Sequence, residues 1–165
     1  NAESLFGAIA NELTKDGITL LPATTFLEDQ MATEGHLHGP APSERDLEDI
    51  HFGKKIVKQT SSLDIGQSIV VRRGTVLAVE AFEGTDECIQ RGGKLGNGKD
   101  VTWVKVSKPA QDMRFDVPVI GPKTIESCQE AGVRTIAVEA GKTLFLGLDE
   151  IKSKCSEGKI TIFGF

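Results

Sequence analysis

The amino-acid sequence predicts an α/β fold, a mixed β-sheet flanked by helices with a helical segment at the N-terminus. Two observations support this prediction. Stretches with apolar residues at helical spacing alternate with short β-rich stretches, a pattern that is typical of α/β folds. Neighbouring β-rich stretches near residues 67–81 and 136–146 favour some antiparallel pairing, so the sheet is expected to be mixed.

The first 62 residues are predicted to form two helices joined by an irregular segment. The first helix has Ser4 as its N-terminal cap and ends at Asp16, and a short apolar strand follows at 18–21. The second helix begins after Ser43, which forms a near capping box with Asp46, and it runs to about residue 62. We treat 1–62 as a helical and linker segment and 63–165 as the catalytic domain.

The remaining elements are predicted from changes in apolar periodicity and from turn residues. The first group is a hairpin of strands 67–72 and 75–81 turning at Arg73-Gly74, a helix from Gly84-Thr85-Asp86 to Gly92-Gly93, and a strand at 101–106. A polar, largely extended loop at 108–122 comes next. The last group is a helix at 124–130 capped by Thr124, strands at 136–138 and 143–146, a helix at 149–155 and a strand at 160–163.

Composition describes a folded and mildly acidic protein. The chain has 165 residues, of which 39% are hydrophobic, and its net charge is −5. Such a chain is too apolar for its charge to be disordered, and it lacks the basic surplus of a nucleic-acid binder. We therefore expect one or two globular domains and no nucleic-acid partner.

Cysteine usage and hydropathy point to a cytoplasmic protein. The three cysteines are widely spaced and form no CxxC pair, so neither a disulfide framework nor a zinc site of the usual spacing is expected. No apolar run reaches about 18 residues, and the N-terminus has no secretion signal pattern.

Acidic residues cluster where a strand is predicted to end and a helix to begin. Glu80, Glu83 and Asp86 fall within seven residues. Carboxylates in these positions can face a crevice at the carboxyl end of a sheet, which is the usual ligand position in α/β folds. The alternative is that they cap the helix and face solvent, because acidic residues favour a helix N-terminus.

A second cluster mixes acidic and basic residues between 105 and 116. Strand alternation places Trp103, Lys105 and Ser107 on one face and Val104 and Val106 on the other. If the following segment is extended, Asp112, Arg114 and Asp116 share a face. Basic groups can neutralise phosphate oxygens, and carboxylates can hold a divalent cation or activate water. The alternative is a set of solvated surface ion pairs.

Four stretches in order resemble one known family. They are 63–67 (LDIGQ), 78–86 (AVEAFEGTD), 104–118 (VKVSKP through DMRFDVP) and 136–144 (IAVEAGKTL). Together they resemble the C-terminal domain of the LpxI-type UDP-2,3-diacylglucosamine pyrophosphatases of lipid A biosynthesis. The resemblance covers nearly the whole chain from about residue 3.

The resemblance implies a reaction and an essential residue. The family hydrolyses the pyrophosphate of UDP-2,3-diacylglucosamine to UMP and 2,3-diacylglucosamine 1-phosphate. Water attacks the α-phosphorus, with a divalent metal, usually Mg²⁺. The family's essential aspartate corresponds to Asp116.

Roles for the other candidates combine this resemblance with their charge and position. Asp116 is interpreted as a metal ligand or as the base that activates water. Glu80, Glu83, Asp86 and Asp112 are interpreted as supporting metal-binding carboxylates. Thr85, with the helix amides after Gly84, is expected to bind a phosphate. The charge of the substrate phosphates would be offset by Lys105, Lys108 and Arg114.

The resemblance also implies partners. The family has a further N-terminal domain, binds its substrate between the two domains and forms dimers. We therefore expect this chain to be inactive alone, to expose apolar surface and to form homodimers. Because the substrate is acylated, peripheral contact with the inner membrane is expected, although the sequence encodes no anchor.

Two other functions are considered. One is a non-catalytic domain that binds a nucleotide or another anion, in which the acidic cluster is structural. The other is an unrelated Mg²⁺-dependent phosphatase with a complete site in these residues. The position of Asp116 discriminates between the enzyme interpretation and the non-catalytic one. A salt bridge to Arg114 or to a lysine, away from any crevice, weakens the enzyme interpretation, and convergence with Glu80, Glu83 or Asp86 on a cleft at the strand ends strengthens it.

Overall fold

The structure, a computed structural model, describes residues 2–109 and 111–165. These residues form five α-helices, eight β-strands and a short 3-10 helix at Glu28–Gln30. The helices are α1 (Ala2–Lys15), α2 (Glu44–Ser62), α3 (Thr85–Leu95), α4 (Pro122–Ala131) and α5 (Leu148–Gly158). The strands are β1 (Gly35–His38), β2 (Ser68–Arg72), β3 (Thr75–Val79), β4 (Val101–Lys105), β5 (Val119–Ile120), β6 (Val133–Val138), β7 (Leu144–Phe145) and β8 (Thr161–Gly164).

Six strands form one mixed sheet in the order β1-β8-β6-β4-β2-β3. The pairs β8–β6 and β6–β4 are parallel, and the other three pairs are antiparallel. As a result β3, β4, β6 and β8 run in one direction, and their carboxyl ends lie along one edge of the sheet. The predicted α/β fold with a mixed sheet, flanking helices and an N-terminal helix is confirmed. β5 and β7 form a separate parallel pair.

Helices cover both faces of the sheet. Ile50 and Val57 of α2 pack with Val104 and Val106 on one face. Trp103 belongs to the other apolar cluster, which contains buried residues of α3, α4 and α5. The alternation predicted for Trp103, Val104 and Val106 is therefore confirmed, whereas Ser107 lies beyond the end of β4 and lines a cavity together with Lys58 and Ser61 of α2.

Local signals predicted α2 and the first hairpin correctly. Ser43 and Asp46 form a reciprocal capping box, with Ser43 as the N-cap of α2. The hairpin turns at Arg73-Gly74, both with positive φ. The buried Asp49 of α2 accepts the backbone N–H groups of both turn residues, at 2.8 and 2.7 Å. These two hydrogen bonds connect α2 to the turn between β2 and β3.

The prediction that α3 ends at Gly92-Gly93 is wrong, because the helix continues to Leu95. Both glycines are buried inside it. A Cβ on Gly92 would lie 2.4 Å from the Cβ of Val70, and one on Gly93 would lie 2.1 Å from the Ala131 carbonyl oxygen. These glycines let α3 approach the sheet and α4 closely, and they do not mark its end.

Three other local predictions are wrong. α1 begins at Ala2, so Ser4 lies within its first turn and is not its cap. Residues 18–21 form no strand, and Ile18 and Leu21 are exposed. α4 begins at Pro122, because proline fits the first position of a helix, whereas the predicted start was at Thr124.

The division at residue 62 stays a prediction. Elements on both sides of it belong to the same sheet: β1 pairs with β8, and α2 packs on β2 and β4.

Candidate functional site

Three predicted site residues meet at the edge where β3 and β4 end. Glu80 follows β3, Lys105 is the last residue of β4, and Thr85 is the first residue of α3. The Thr85 hydroxyl donates a hydrogen bond to Glu80 Oε1 at 2.8 Å, and Lys105 Nζ donates one to Thr85 Oγ1 at 3.4 Å. We call these three residues the strand-end cluster.

The ammonium group of Lys105 is held in a partly desolvated position. Its Nζ lies 5.7 Å from the centre of the Trp103 ring, within the range of a cation–π contact. Burial lowers the pKa of Lys105 below its ordinary value. Three nearby carboxylates raise the same pKa: Glu80, Asp116 and Asp86. Glu80, Asp86 and Asp116 are therefore electrostatic neighbours of one basic group, and the predicted convergence of Asp116 with other acidic residues on a cleft stays a prediction.

Glu80 has one oxygen without a partner. Oε1 accepts the Thr85 hydroxyl, whereas Oε2 is buried and has no hydrogen-bond partner among the described residues. An unpaired buried carboxylate oxygen is costly, so such an atom is a candidate ligand position.

Asp116 lies at the end of a turn and not in an extended strand. The backbone N–H groups of Phe115 and Asp116 both donate to the Asp112 carbonyl oxygen, at 3.0 Å each. The Phe6 ring of α1 stacks on Phe115 with ring centres 5.4 Å apart. The Asp116 side chain is exposed and makes no ion pair or hydrogen bond with another described residue. Its carboxylate is therefore accessible beside Lys105.

Asp112 and Arg114 bind each other instead of lining a face together with Asp116. Arg114 Nε donates to Asp112 Oδ1 at 2.9 Å, and Nη2 donates to Oδ2 at 2.6 Å. This bidentate hydrogen bond lowers the pKa of Asp112 and raises that of Arg114. Asp112, Arg114 and Asp116 were predicted to share a face if their segment is extended, and this condition is not met because the chain turns between them.

Two further candidates form ion pairs with residues outside the strand-end cluster. Glu83 pairs with Arg91 of α3, and its own backbone N–H and Arg91 lower its pKa. Lys108 Nζ pairs with Asp64 Oδ1 at 2.7 Å. The predicted roles of Glu83 and Lys108 stay predictions.

A second polar group, which sequence reasoning did not select, lies at the same edge of the sheet. Glu139 follows β6 and is only 7% exposed. Its Oε2 accepts the backbone N–H and the hydroxyl of Ser107, at 3.0 and 2.8 Å. Its Oε1 accepts hydrogen bonds from Lys58 and Lys142, both at 3.2 Å. The available signal was that Ser107 and Glu139 both lie just beyond the carboxyl ends of predicted strands.

These contacts determine the charge of Glu139. Burial alone would raise the pKa of Glu139, but the hydrogen bonds from Ser107, Lys142 and Lys58 outweigh it and lower the pKa to about 2. The carboxylate borders a cavity of about 180 Å³ whose lining residues are Lys58, Ser61, Ser107, Pro109, Glu139 and Lys142. We call it the β4–β6 cavity.

Comparison with known proteins identifies the family. A family model described as the LpxI C-terminal domain matches residues 33–163, which is most of the chain. The chain belongs to the LpxI family. The UDP-2,3-diacylglucosamine pyrophosphatase LpxI of Caulobacter vibrioides is 30% identical to it over 169 aligned positions, which span 98% of this chain and 60% of that relative. The chain thus spans less than two thirds of this LpxI relative.

The family assignment confirms the predicted resemblance. It also sets aside the interpretation of the chain as an unrelated phosphatase, because the match covers both the strand-end cluster and Asp116. The helices of residues 2–109 and 111–165 are too short or too polar to cross a lipid bilayer.

The structure does not assemble the four carboxylates predicted as metal ligands. Within the described ranges, no three His, Cys, Asp or Glu side chains are grouped as the ligands of a metal ion would be. Of the four, Glu83 and Asp112 are paired with arginines, and Glu80 and Asp86 are electrostatic neighbours of Lys105. These residues do not fit a preformed magnesium site, so the Mg²⁺ requirement stays a prediction.

Exposed apolar residues lie near the strand-end cluster along the chain. Phe82, two residues beyond Glu80, is fully exposed, and Leu63 and Ile65 are exposed as well. The turn that carries Leu63 and Ile65 passes the Glu80 backbone, because a Cβ on Gly66 would lie 2.0 Å from the Glu80 carbonyl oxygen.

Proposed function

We propose that this chain supplies catalytic groups for the hydrolysis of UDP-2,3-diacylglucosamine to UMP and 2,3-diacylglucosamine 1-phosphate. The observation that carries the proposal is the convergence of Lys105, Thr85 and Asp116 at the carboxyl edge of the sheet. Membership of the LpxI family and the name of the Caulobacter relative support the choice of substrate.

The proposed roles follow from the charge that develops during attack on phosphorus. When water attacks the α-phosphorus, negative charge builds on the phosphoryl oxygens, and a partly buried cation stabilises that charge more strongly than an exposed one. Lys105 is such a cation. No side chain caps α3 at Gly84, so the backbone N–H groups of its first turn can bind phosphate oxygens beside Thr85.

Asp116 is proposed as the base that accepts a proton from the attacking water. Its side chain is exposed, has no partner of its own among the described residues and is an electrostatic neighbour of Lys105. A base must reach the proton that it removes, and an unpaired carboxylate at the site satisfies that requirement. Glu80 holds Thr85 in place through its 2.8 Å hydrogen bond.

The proposed partners follow from the chemistry of the substrate. Its acyl chains would contact apolar surface, and Leu63, Ile65 and Phe82 provide such surface beside the site. We propose that a further domain completes the site, because the chain spans 60% of its relative, and that the protein works as a homodimer in the cytoplasm against the inner membrane.

A non-catalytic role is the second candidate. It is favoured by the pairing of Asp112, Arg114 and Glu83, which leaves few carboxylates for chemistry among the described residues. In that case Lys105 and the first turn of α3 would hold a nucleotide or another anion without hydrolysing it.

The test is release of UMP from UDP-2,3-diacylglucosamine by the full-length gene product and by the 165-residue chain. Asp116→Asn should lower the rate about a hundredfold or more, since it removes the base without changing the shape of the side chain. Asp149→Asn, which changes an exposed aspartate on α5, is the matched control. Unchanged turnover in Asp116→Asn, or no turnover by the parent, would favour the binding role. A chelator in the same assay tests the predicted divalent cation.

A further inference from the structure

We propose that the β4–β6 cavity binds the phosphate group of a phosphomonoester. The cavity has a volume of about 180 Å³ and is bordered by α2, by the ends of β4 and β6, and by the turn after β6. It is separate from the strand-end cluster: Thr85 of that cluster belongs to α3, whereas Lys58 and Ser61 belong to α2, on the opposite face of the sheet.

The lining of the cavity carries a net positive charge, and the two lysines that supply it are positioned by hydrogen bonds to Glu139. Lys58 and Lys142 each donate one hydrogen bond to Glu139 Oε1, so each ammonium group keeps N–H groups for a further acceptor. Both oxygens of Glu139 are already occupied by protein donors. Two lysines against one carboxylate leave a net charge of +1, which favours an anion.

A buried hydroxyl without a partner also lines the cavity. Ser61 is 3% exposed, and its Oγ has no hydrogen-bond partner among the described residues. Buried polar atoms are nearly always paired, so an unpaired donor on a cavity wall indicates a ligand that accepts a hydrogen bond. Phosphate oxygens accept hydrogen bonds from hydroxyl and ammonium groups alike.

The choice of ligand rests on the proposed function, because both products of that hydrolysis are phosphomonoesters. The two sites share one edge of the sheet, since Lys105 ends β4 and Ser107 follows it two residues later. A phosphomonoester in the β4–β6 cavity would therefore lie beside the place where it is formed. Free inorganic phosphate has the same chemistry, and the experiment below includes it separately.

The experiment titrates inorganic phosphate and UMP into the ¹⁵N-labelled 165-residue chain at constant ionic strength, with chloride as the reference anion. The backbone amide signals of Ser61, Ser107 and Glu139 report binding. Saturable shifts with either probe are expected. Lys58→Gln and Lys142→Gln should each weaken binding about tenfold, the effect of losing one charge-assisted hydrogen bond. Lys55→Gln, which changes an exposed lysine on the same helix, should leave binding unchanged.

The two probes distinguish the sources of the phosphate group. Equal affinity for the two probes indicates a site that recognises the phosphate group alone. Tighter binding of UMP than of inorganic phosphate indicates a site for a phosphomonoester. The absence of saturable shifts with both probes, or shifts that persist in both lysine variants, overturns the proposal. Because binding is measured and not turnover, failure of the proposed hydrolysis would leave the result with inorganic phosphate intact.

Discussion

Lys105 donates a hydrogen bond to Thr85 across 3.4 Å, and this contact joins the end of β4 to the first turn of α3. The Thr85 hydroxyl in turn donates a hydrogen bond to Glu80 Oε1 at 2.8 Å. The ammonium group of Lys105 is therefore positioned by β4 and α3. Its charge is balanced by the nearby carboxylates of Glu80, Asp116 and Asp86. Such a group is prepared to bind phosphate oxygens without large rearrangement.

The protonation of Lys105 should depend on Glu80. Burial lowers the pKa of Lys105, and Glu80 is the carboxylate that raises it most. Glu80→Gln removes that charge while keeping an oxygen for Thr85, so the pKa of Lys105 should fall further below its ordinary value. An NMR titration of labelled lysine side chains measures this. Glu87→Gln, on the first turn of α3, is the control, and equal lysine titrations in the two variants would contradict the assigned geometry.

Glu139 should make the protein sensitive to acid. Its pKa is lowered to about 2 from an ordinary value of 4.5, so its stabilising effect is fully present above pH 4.5 and is lost as the pH falls toward 2. The loss should amount to about 3 kcal/mol in the free energy of unfolding. Urea unfolding at a series of pH values measures it. Glu139→Gln has no charge to titrate and should show a flatter profile; parallel profiles would show that the four contacts do not stabilise the carboxylate.

The two glycines within α3 should not tolerate alanine. Gly92→Ala and Gly93→Ala place a methyl group against Val70 and the Ala131 carbonyl, and each should lower the free energy of unfolding by about 1–3 kcal/mol. Gly7→Ala in α1 is the matched control, because a Cβ there meets nothing within 4 Å and alanine favours a helix by up to about 1 kcal/mol. In thermal or urea unfolding, Gly92→Ala and Gly93→Ala should therefore be destabilised and Gly7→Ala should be stabilised. A stabilising effect at Gly93 would mean that α3 and α4 are farther apart.

Asp49 should contribute more to the free energy of unfolding than an exposed aspartate does. It accepts the backbone N–H groups of Arg73 and Gly74, and Asp49→Ala would leave both unpaired, at a cost of about 1–3 kcal/mol. Asp100 pairs with the Arg73 side chain at 3.2 Å on the exposed surface, and Asp100→Asn should cost about 0–1 kcal/mol. Urea unfolding distinguishes them. Equal effects would mean that the hairpin turn does not depend on α2.

The sequence allowed candidate site residues to be selected where the choice depends only on the order of strands and helices along the chain. Glu80, Thr85 and Lys105 could be selected because each lies where a strand ends or a helix begins, and such positions share an edge in α/β folds. The ion pair between Asp112 and Arg114 belongs to one of two alternatives that the sequence left open, since an extended segment and a turn have the same composition there. Lys58 and Glu139 are 81 residues apart, and no local pattern indicates that they meet. Likewise, Gly92 looks like a helix end until its contact with Val70 is known.

The most direct test of the strand-end cluster is the rate of UMP release from UDP-2,3-diacylglucosamine by Lys105→Gln in the full-length gene product. Lys94→Gln, at the exposed end of α3, is the control, and unfolding midpoints verify that both variants are folded. The predicted result is a loss of about a hundredfold or more in Lys105→Gln alone, since the partly buried cation stabilises charge on the phosphoryl oxygens. Equal rates in the two variants would contradict the assignment of Lys105 to the catalytic site.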